Sequence, residues 1–144
     1  MVPEHHRRNV RLAAAFLLLG ACGAQAAGLA EPLTTSPGDA LRGKAVAVNS
    51  DMGNCLICHR MPIAEVPDGA SGDIGPDLAG VGARLSVAEL RQRIVDPRVM
   101  DPDSVMPAYF STDGLHRVQA RYDGATILTA QQVEDLVAYL TTLQ

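Results

Sequence analysis

The sequence predicts a small all-α domain in which a few helices are joined by long loops. Two capping boxes, each a hydroxyl residue followed three positions later by a glutamate or glutamine, mark helix starts at Ser86 and Thr129. Apolar residues follow each box at helical spacing. The connecting segments are rich in glycine and proline, so they are expected to lack regular structure. At 144 residues, the chain has room for one domain and a leader.

Three helices are predicted. The first runs from Asp39 to Val48, where apolar residues share one face and an aspartate stands at the start. The second follows Ser86 and ends at Asp96-Pro97, because the residue before a proline disfavours helical geometry. The third follows Thr129 and has apolar residues at positions i, i+3, i+4 and i+7. It is therefore expected to be a terminal amphipathic helix.

Two long loops connect these helices. Residues 60–84 carry repeated glycines and prolines, and residues 98–128 form a second irregular stretch. Within the second loop, residues 117–122 are assigned a short strand. Irregular segments of this length in a small domain usually serve a function or enclose a ligand.

The stretch Cys55-Leu56-Ile57-Cys58-His59 is typical of covalent haem attachment. Two thiols at this spacing can each add to one vinyl group of the same porphyrin, and the adjacent imidazole can reach the iron. We therefore predict one covalent haem c, held by Cys55 and Cys58, with His59 as an axial ligand. The alternatives are a structural zinc site and a thioredoxin-like dithiol. Zinc usually requires a second ligand pair, and the dithiol usually lies in a strand–helix pattern.

The other axial ligand has to arrive on a loop from the opposite face of the haem. We expect Met106, which lies between the second and third helices and precedes a proline that stiffens the loop. Met100, His116 and an open sixth position remain alternatives. Histidine–methionine ligation raises the reduction potential, which suits an electron acceptor.

The segment Gly75-Pro76-Asp77-Leu78 is a candidate for the environment of His59. Ligating histidines usually donate their second N–H to a carbonyl or carboxylate. We expect the Pro76 carbonyl to accept that bond and Leu78 to lie on the porphyrin, with a simple turn as the alternative. Three arginines are candidates for pairing with haem propionates: Arg84, Arg91 and Arg93. The alternative for each of them is a place on a solvated helix face.

The N-terminus predicts a signal peptide over residues 1–26. Basic residues precede the apolar run Leu12 to Ala21, and Ala24-Gln25-Ala26 is a small-x-small cleavage pattern. Export to the periplasm agrees with the haem motif, because covalent haem attachment takes place outside the bacterial cytoplasm. Cys22 follows a lipoprotein-like box, so a lipid anchor to the membrane is the alternative.

The predicted mature chain has a lead-in that is expected to be flexible, residues 27–38, and one domain, residues 39–144. Cleavage lowers the number of basic residues from 12 to 9 and of acidic residues from 16 to 15, so the formal net charge becomes −6. An acidic domain argues against nucleic acid and anionic membrane surfaces as partners.

The chain resembles a class I cytochrome c along nearly all of its mature length. Four segments are more specifically similar to the SoxX family, the small monohaem subunits of SoxAX cytochromes in bacterial thiosulfate oxidation: residues 72–82, 95–97, 101–110 and 128–140. Phe110 stands where that family often has tyrosine. The resemblance implies a class I cytochrome c-like fold, in which helices and long loops wrap around one covalent haem.

The resemblance also implies a role and partners. A SoxA-like subunit would carry the catalytic haem and form a heterodimer with this chain. Electrons would then leave through the haem of this chain to a downstream cytochrome. The chain would be the electron-accepting part of a heteromeric L-cysteine S-thiosulfotransferase, with no catalytic residue of its own. The alternatives are a freestanding periplasmic electron carrier and a haem sensor or peroxidase.

Overall fold

Four α-helices form the framework of the computed structural model, which describes residues 28–67 and 69–144. They are α1 (Ala40–Val48), α2 (Val81–Arg84), α3 (Val87–Val95) and α4 (Ala130–Thr142). Single 3-10 turns lie at Cys55–Ile57, Pro97–Val99 and Ala120–Tyr122. No strand occurs in the described residues, so the all-α prediction is confirmed. The predicted signal peptide, including Cys22, lies outside these residues.

The helix starts follow from local sequence. Asp39 precedes α1, and its carboxylate accepts a hydrogen bond from the backbone N–H of Arg42 at 2.9 Å. Both predicted capping boxes are formed, at Ser86 before α3 and at Thr129 before α4. These caps satisfy backbone N–H groups that have no partner within the helix.

The crossing of α1 and α4 is the most extensive helix contact in the described chain. A Cβ atom added at Gly43 would lie 1.9 Å from the carbonyl oxygen of Asp135, so only glycine permits this approach. The core at the crossing is built from Val46, Ala47, Val133, Leu136 and Tyr139. Since α1 runs directly toward the haem motif, the crossing fixes where that motif begins.

The predicted flexible lead-in, residues 27–38, is a packed part of the domain from residue 28 onward. Arg91 donates to the carbonyl of Leu29 at 2.8 Å and forms a buried ion pair with Glu134, also at 2.8 Å. Glu134 in turn accepts from the backbone N–H of Leu33 at 2.9 Å. The sequence did not reveal these contacts, because the charges that hold the segment lie far away in sequence, on α3 and α4. The flexibility of residues 27–38 stays a prediction.

Two predictions for the loops are corrected. The segment 60–84 is irregular except at its end, where Val81–Arg84 forms α2. The strand assigned to residues 117–122 is absent. Arg117 has a φ of 57°, which interrupts an extended run, and Ala120–Tyr122 forms a 3-10 turn.

Candidate haem site

The predicted attachment motif forms one tight turn after α1. Asn54 has a φ of 47° and turns the chain into the 3-10 turn Cys55–Ile57. The backbone N–H groups of Cys58 and His59 both donate to the carbonyl of Cys55, at 3.2 and 2.9 Å. The two thiols and the imidazole therefore belong to a single short, hydrogen-bonded unit.

His59 is held from the opposite loop. Its Nδ1 lies 2.7 Å from the carbonyl oxygen of Pro76, which is the contact expected from the sequence. A carbonyl only accepts, so Nδ1 carries the proton and Nε2 keeps its lone pair for a metal. A Cβ added at Gly75 would lie 2.3 Å from Cε1 of the same ring, so the backbone at Gly75 lies directly against the imidazole.

The loop that carries Pro76 and Leu78 is itself fixed by hydrogen bonds. The backbone N–H of Leu78 donates to the carbonyl of Arg60 at 2.9 Å, and the Leu78 side chain packs against the core while staying partly exposed. Arg84 donates to the carbonyls of Asp77 and Ala79. Its guanidinium therefore stabilises the loop. The contact of Leu78 with a porphyrin stays a prediction.

Met106 lies in a second loop, at the margin of the core. Its side chain is half-buried, and its backbone N–H donates to the Ser104 hydroxyl at 3.3 Å. Three and four residues farther along, this loop joins α3: the N–H groups of Tyr109 and Phe110 donate to carbonyls of Ile94 and Val95, at 3.1 and 3.2 Å. The end of α3 thus positions the stretch that carries the candidate sixth ligand.

Tyr109, which is not one of the predicted site residues, links the two loops. The buried Tyr109 hydroxyl donates to the carbonyl of Gly53 at 2.7 Å, two residues before Cys55. Burial raises the pKa of Tyr109, and the nearby thiols of Cys55 and Cys58 raise it further, so the phenol stays protonated as a donor. The only sequence signal for this bond is an aromatic residue shortly after the methionine.

The alternative ligands lie elsewhere in the loop. Met100 follows the 3-10 turn Pro97–Val99 and is partly buried like Met106, but it is not among the described side chains that pack against the core, and His116 is exposed. Among the described residues, no group of three or more His, Cys, Asp or Glu side chains could hold a metal ion.

The residues present fit a covalently attached haem. Burial raises the pKa of the Cys55 thiol to about 11, so this sulfur is neutral in a largely apolar setting that also suits a thioether. The imidazole of His59 is oriented with Nε2 available. Near the motif and in the two loops, apolar side chains that the core covers only partly include Leu56, Leu78, Met106 and Phe110.

Comparisons with known proteins agree with this geometry. The family model described as Cytochrome c matches residues 40–144. A chain in the crystal structure of SoxXA from P. pantotrophus is similar over 81% of this chain and 89% of that chain, with 35% sequence identity and a TM-score of 0.72. No curated protein gives a significant match. In the part of the chain that the structure describes, no helix is long and apolar enough to cross a membrane.

Proposed function

Since this chain belongs to the cytochrome c family, we propose that it is the electron-accepting, SoxX-like subunit of a periplasmic SoxAX-type complex. The observation that carries the proposal is the 35% identity to a SoxXA chain over 89% of that chain. The haem motif and the loop around Pro76 support it, because both lie within the matched family region, residues 40–144.

The roles proposed for the site residues follow from their positions. Cys55 and Cys58 would hold one haem c covalently, and His59 and Met106 would bind its iron. Haem c supplies one-electron redox chemistry when it is bound. The Pro76 carbonyl keeps the proton of His59 on Nδ1, at 2.7 Å, so that Nε2 can bind iron. Leu78 would exclude water from the histidine side.

The substrate chemistry would take place on the partner. Joining thiosulfate to a carrier-protein cysteine forms one S–S bond, releases the thiol proton and yields two electrons. Within the described residues the only cysteines are Cys55 and Cys58, and both belong to the haem motif. We therefore place the bond-forming step on a SoxA-like subunit and assign electron exit to this chain. A single haem would pass the two electrons one at a time to a downstream cytochrome.

Co-expression with a SoxA-like subunit tests the proposal. The expected result is a heterodimer whose SoxX-like haem is reduced when thiosulfate and a carrier protein with a free cysteine are added. A C55S/C58S double variant is the control, and we expect it to lose this electron exit. A chain that stays monomeric in the presence of the SoxA-like subunit, but exchanges electrons with other cytochromes, would contradict the proposal and favour a freestanding carrier.

Intact mass and optical spectra complete the test. The mass should correspond to one added haem and to cleavage after Ala26, which removes Cys22; a lipidated product that begins at Cys22 would favour the membrane anchor. The spectrum should show low-spin iron with the methionine–iron charge-transfer band. High-spin iron in the wild-type protein would instead favour the haem sensor or peroxidase.

A further inference from the structure

Of the three arginines that the sequence offers as propionate partners, two are engaged within the protein. Arg91 forms the buried ion pair with Glu134, and Arg84 donates to backbone carbonyls of its own loop. Arg93 differs, because its Nε is fully buried and has no hydrogen-bond partner among the described residues. A buried donor of this kind is unfavourable unless an acceptor is supplied.

The described part of the protein has no spare buried carboxylate for Arg93. Each buried carboxylate already accepts from its own arginine: Asp96 from Arg98, Glu134 from Arg91, and Asp135 from Arg42. On its own helix, Arg93 lies one turn after Glu89. The Glu89 carboxylate caps α3 by accepting from the N–H of Ser86 at 2.9 Å. The missing acceptor is therefore expected from outside the described residues.

The position of Arg93 on α3 indicates where that acceptor would lie. At 100° per residue, Arg91 and Arg93 are separated by about 200° around the helix, so they lie on opposite flanks. Arg91 takes the flank toward Glu134 and the N-terminal segment. Residues 94 and 95, at the end of the same helix, bind the loop that carries Met106. Arg93 thus extends from the helix that positions the candidate sixth ligand.

We propose that Arg93 binds a propionate of the haem. The inference rests on the proposed function insofar as it requires the covalent haem, but it requires neither thiosulfate nor a partner subunit. A guanidinium and a carboxylate match in shape and charge, and the pair can form two parallel hydrogen bonds. A propionate would give the buried Nε the acceptor that the described residues lack.

The test uses the purified holoprotein of the full chain and compares Arg93→Gln with Arg93→Lys. The readouts are the midpoint reduction potential and the propionate bending bands in the resonance Raman spectrum. Loss of a nearby positive charge disfavours the reduced iron, so the potential is expected to fall in R93Q and to fall less in R93K. The propionate bands are expected to shift in both variants, because lysine cannot reproduce the fork of arginine.

Arg121→Gln is the matched control, since Arg121 is exposed and lies over the ring of Tyr122, with 4.8 Å between its guanidinium carbon and the ring centroid. It removes the same charge and should leave both readouts unchanged. The proposal is overturned if R93Q retains the wild-type potential and bands, or if R121Q lowers the potential equally. If R93Q does not fold, unchanged bands in R93K overturn it.

These outcomes separate the two proposals. A holoprotein that shows the Arg93 effects but never binds a SoxA-like subunit would contradict the proposed function alone. A heterodimer with unchanged propionate bands in both variants would contradict only the role of Arg93.

Discussion

The histidine side and the methionine side of the candidate site are stabilised in different ways. On the histidine side, residues 54–78, backbone groups contact the ring of His59 directly. The Pro76 carbonyl lies 2.7 Å from Nδ1, and Gly75 leaves no room for a Cβ atom. On the methionine side, residues 97–128, the hydrogen bond that Met106 forms comes from its backbone N–H, which donates to the Ser104 hydroxyl at 3.3 Å. Its neighbour Val105 is 84% exposed, and the Met106 side chain, like that of His59, is partly buried.

The hydrogen bonds that hold the methionine side lie mainly after Met106 in the sequence. Tyr109 anchors it through its N–H to Ile94, its carbonyl to Leu128 and its hydroxyl to Gly53. Open clefts of similar volume lie on both sides, about 210 Å³ beside Arg60 and about 200 Å³ beside Pro107, so cavity volume does not distinguish them. The difference lies in the contacts: on the histidine side backbone groups lie against the ligand ring, whereas on the methionine side the anchoring bonds belong to Tyr109, three residues after Met106. We therefore expect changes on the histidine side to abolish haem attachment altogether. Changes on the methionine side are expected to weaken iron binding by degrees.

Gly75→Ala is expected to have the largest effect. The new Cβ would lie 2.3 Å from Cε1 of His59, so the ring or the loop must move and the bond to Pro76 is lost. We predict little or no holoprotein, measured as covalent haem per polypeptide by mass spectrometry. Gly124→Ala is the control, because no atom lies within 4 Å of its Cβ position, although its φ of 68° adds a backbone cost of about 1–2 kcal/mol. A full haem yield in G75A would remove the contrast between the two sides.

Met106→Ala is expected to preserve haem attachment while changing the iron environment. The covalent bonds and His59 remain, but the proposed sixth ligand is lost. We predict loss of the methionine–iron charge-transfer band and a lower reduction potential, measured by absorption spectroscopy during a redox titration. Met100→Ala should keep both properties, since Met100, unlike Met106, is not among the described side chains that pack against the core. If M100A loses the band and M106A retains it, the ligand assignment is wrong.

Much of the fold was predictable because its signals are local. The caps at Ser86 and Thr129 depend on residues three positions apart, so sequence reveals them. The bond between Tyr109 and Gly53 joins residues 56 positions apart, and nothing near either residue identifies the other. The pairing of Arg91 with a glutamate 43 positions away is equally hidden. Residue types show which groups can bond, whereas the packing of the helices decides which partners meet.

Tyr109→Phe tests whether the methionine side depends on one side-chain link. The variant leaves the Gly53 carbonyl without its buried donor, at a cost of about 2 kcal/mol in the free energy of unfolding. We expect the methionine–iron band to persist at neutral pH and to disappear at a lower alkaline pH than in the wild type. Chemical unfolding and an alkaline titration of the band measure the two effects.

Tyr122→Phe is the control for this variant. Tyr122 is half-buried in the same loop, and its hydroxyl bonds to no other described residue. It should match the wild type in both measurements. Equal behaviour of Y109F and wild type would show that backbone bonds alone hold the methionine, as they do the histidine.

Asp96→Asn is expected to have the smallest effect. It concerns how the stability of the protein changes as the pH falls. Asp96 accepts from the Nε and Nη2 of Arg98, and Arg98 Nη2 also donates to the carbonyl of Asp113, which ties the base of the loop together. The hydrogen bond from Arg98 lowers the pKa of Asp96. Its stabilising contribution is therefore complete above the unfolded pKa of about 3.9 and is lost as the pH falls through the folded pKa.

We therefore predict that D96N lowers the free energy of unfolding by about 1 kcal/mol at neutral pH and by less at acid pH. The measurement is the methionine–iron band followed from pH 7 downward in both proteins. Asp123→Asn is the control, because Asp123 is exposed and forms no ion pair with the other described residues. If D96N loses the band at the same acid pH as the wild type, with unchanged stability, the Asp96–Arg98 pair does not hold the methionine side. Tyr109 would then be the side chain that holds the loop with Met106 in place.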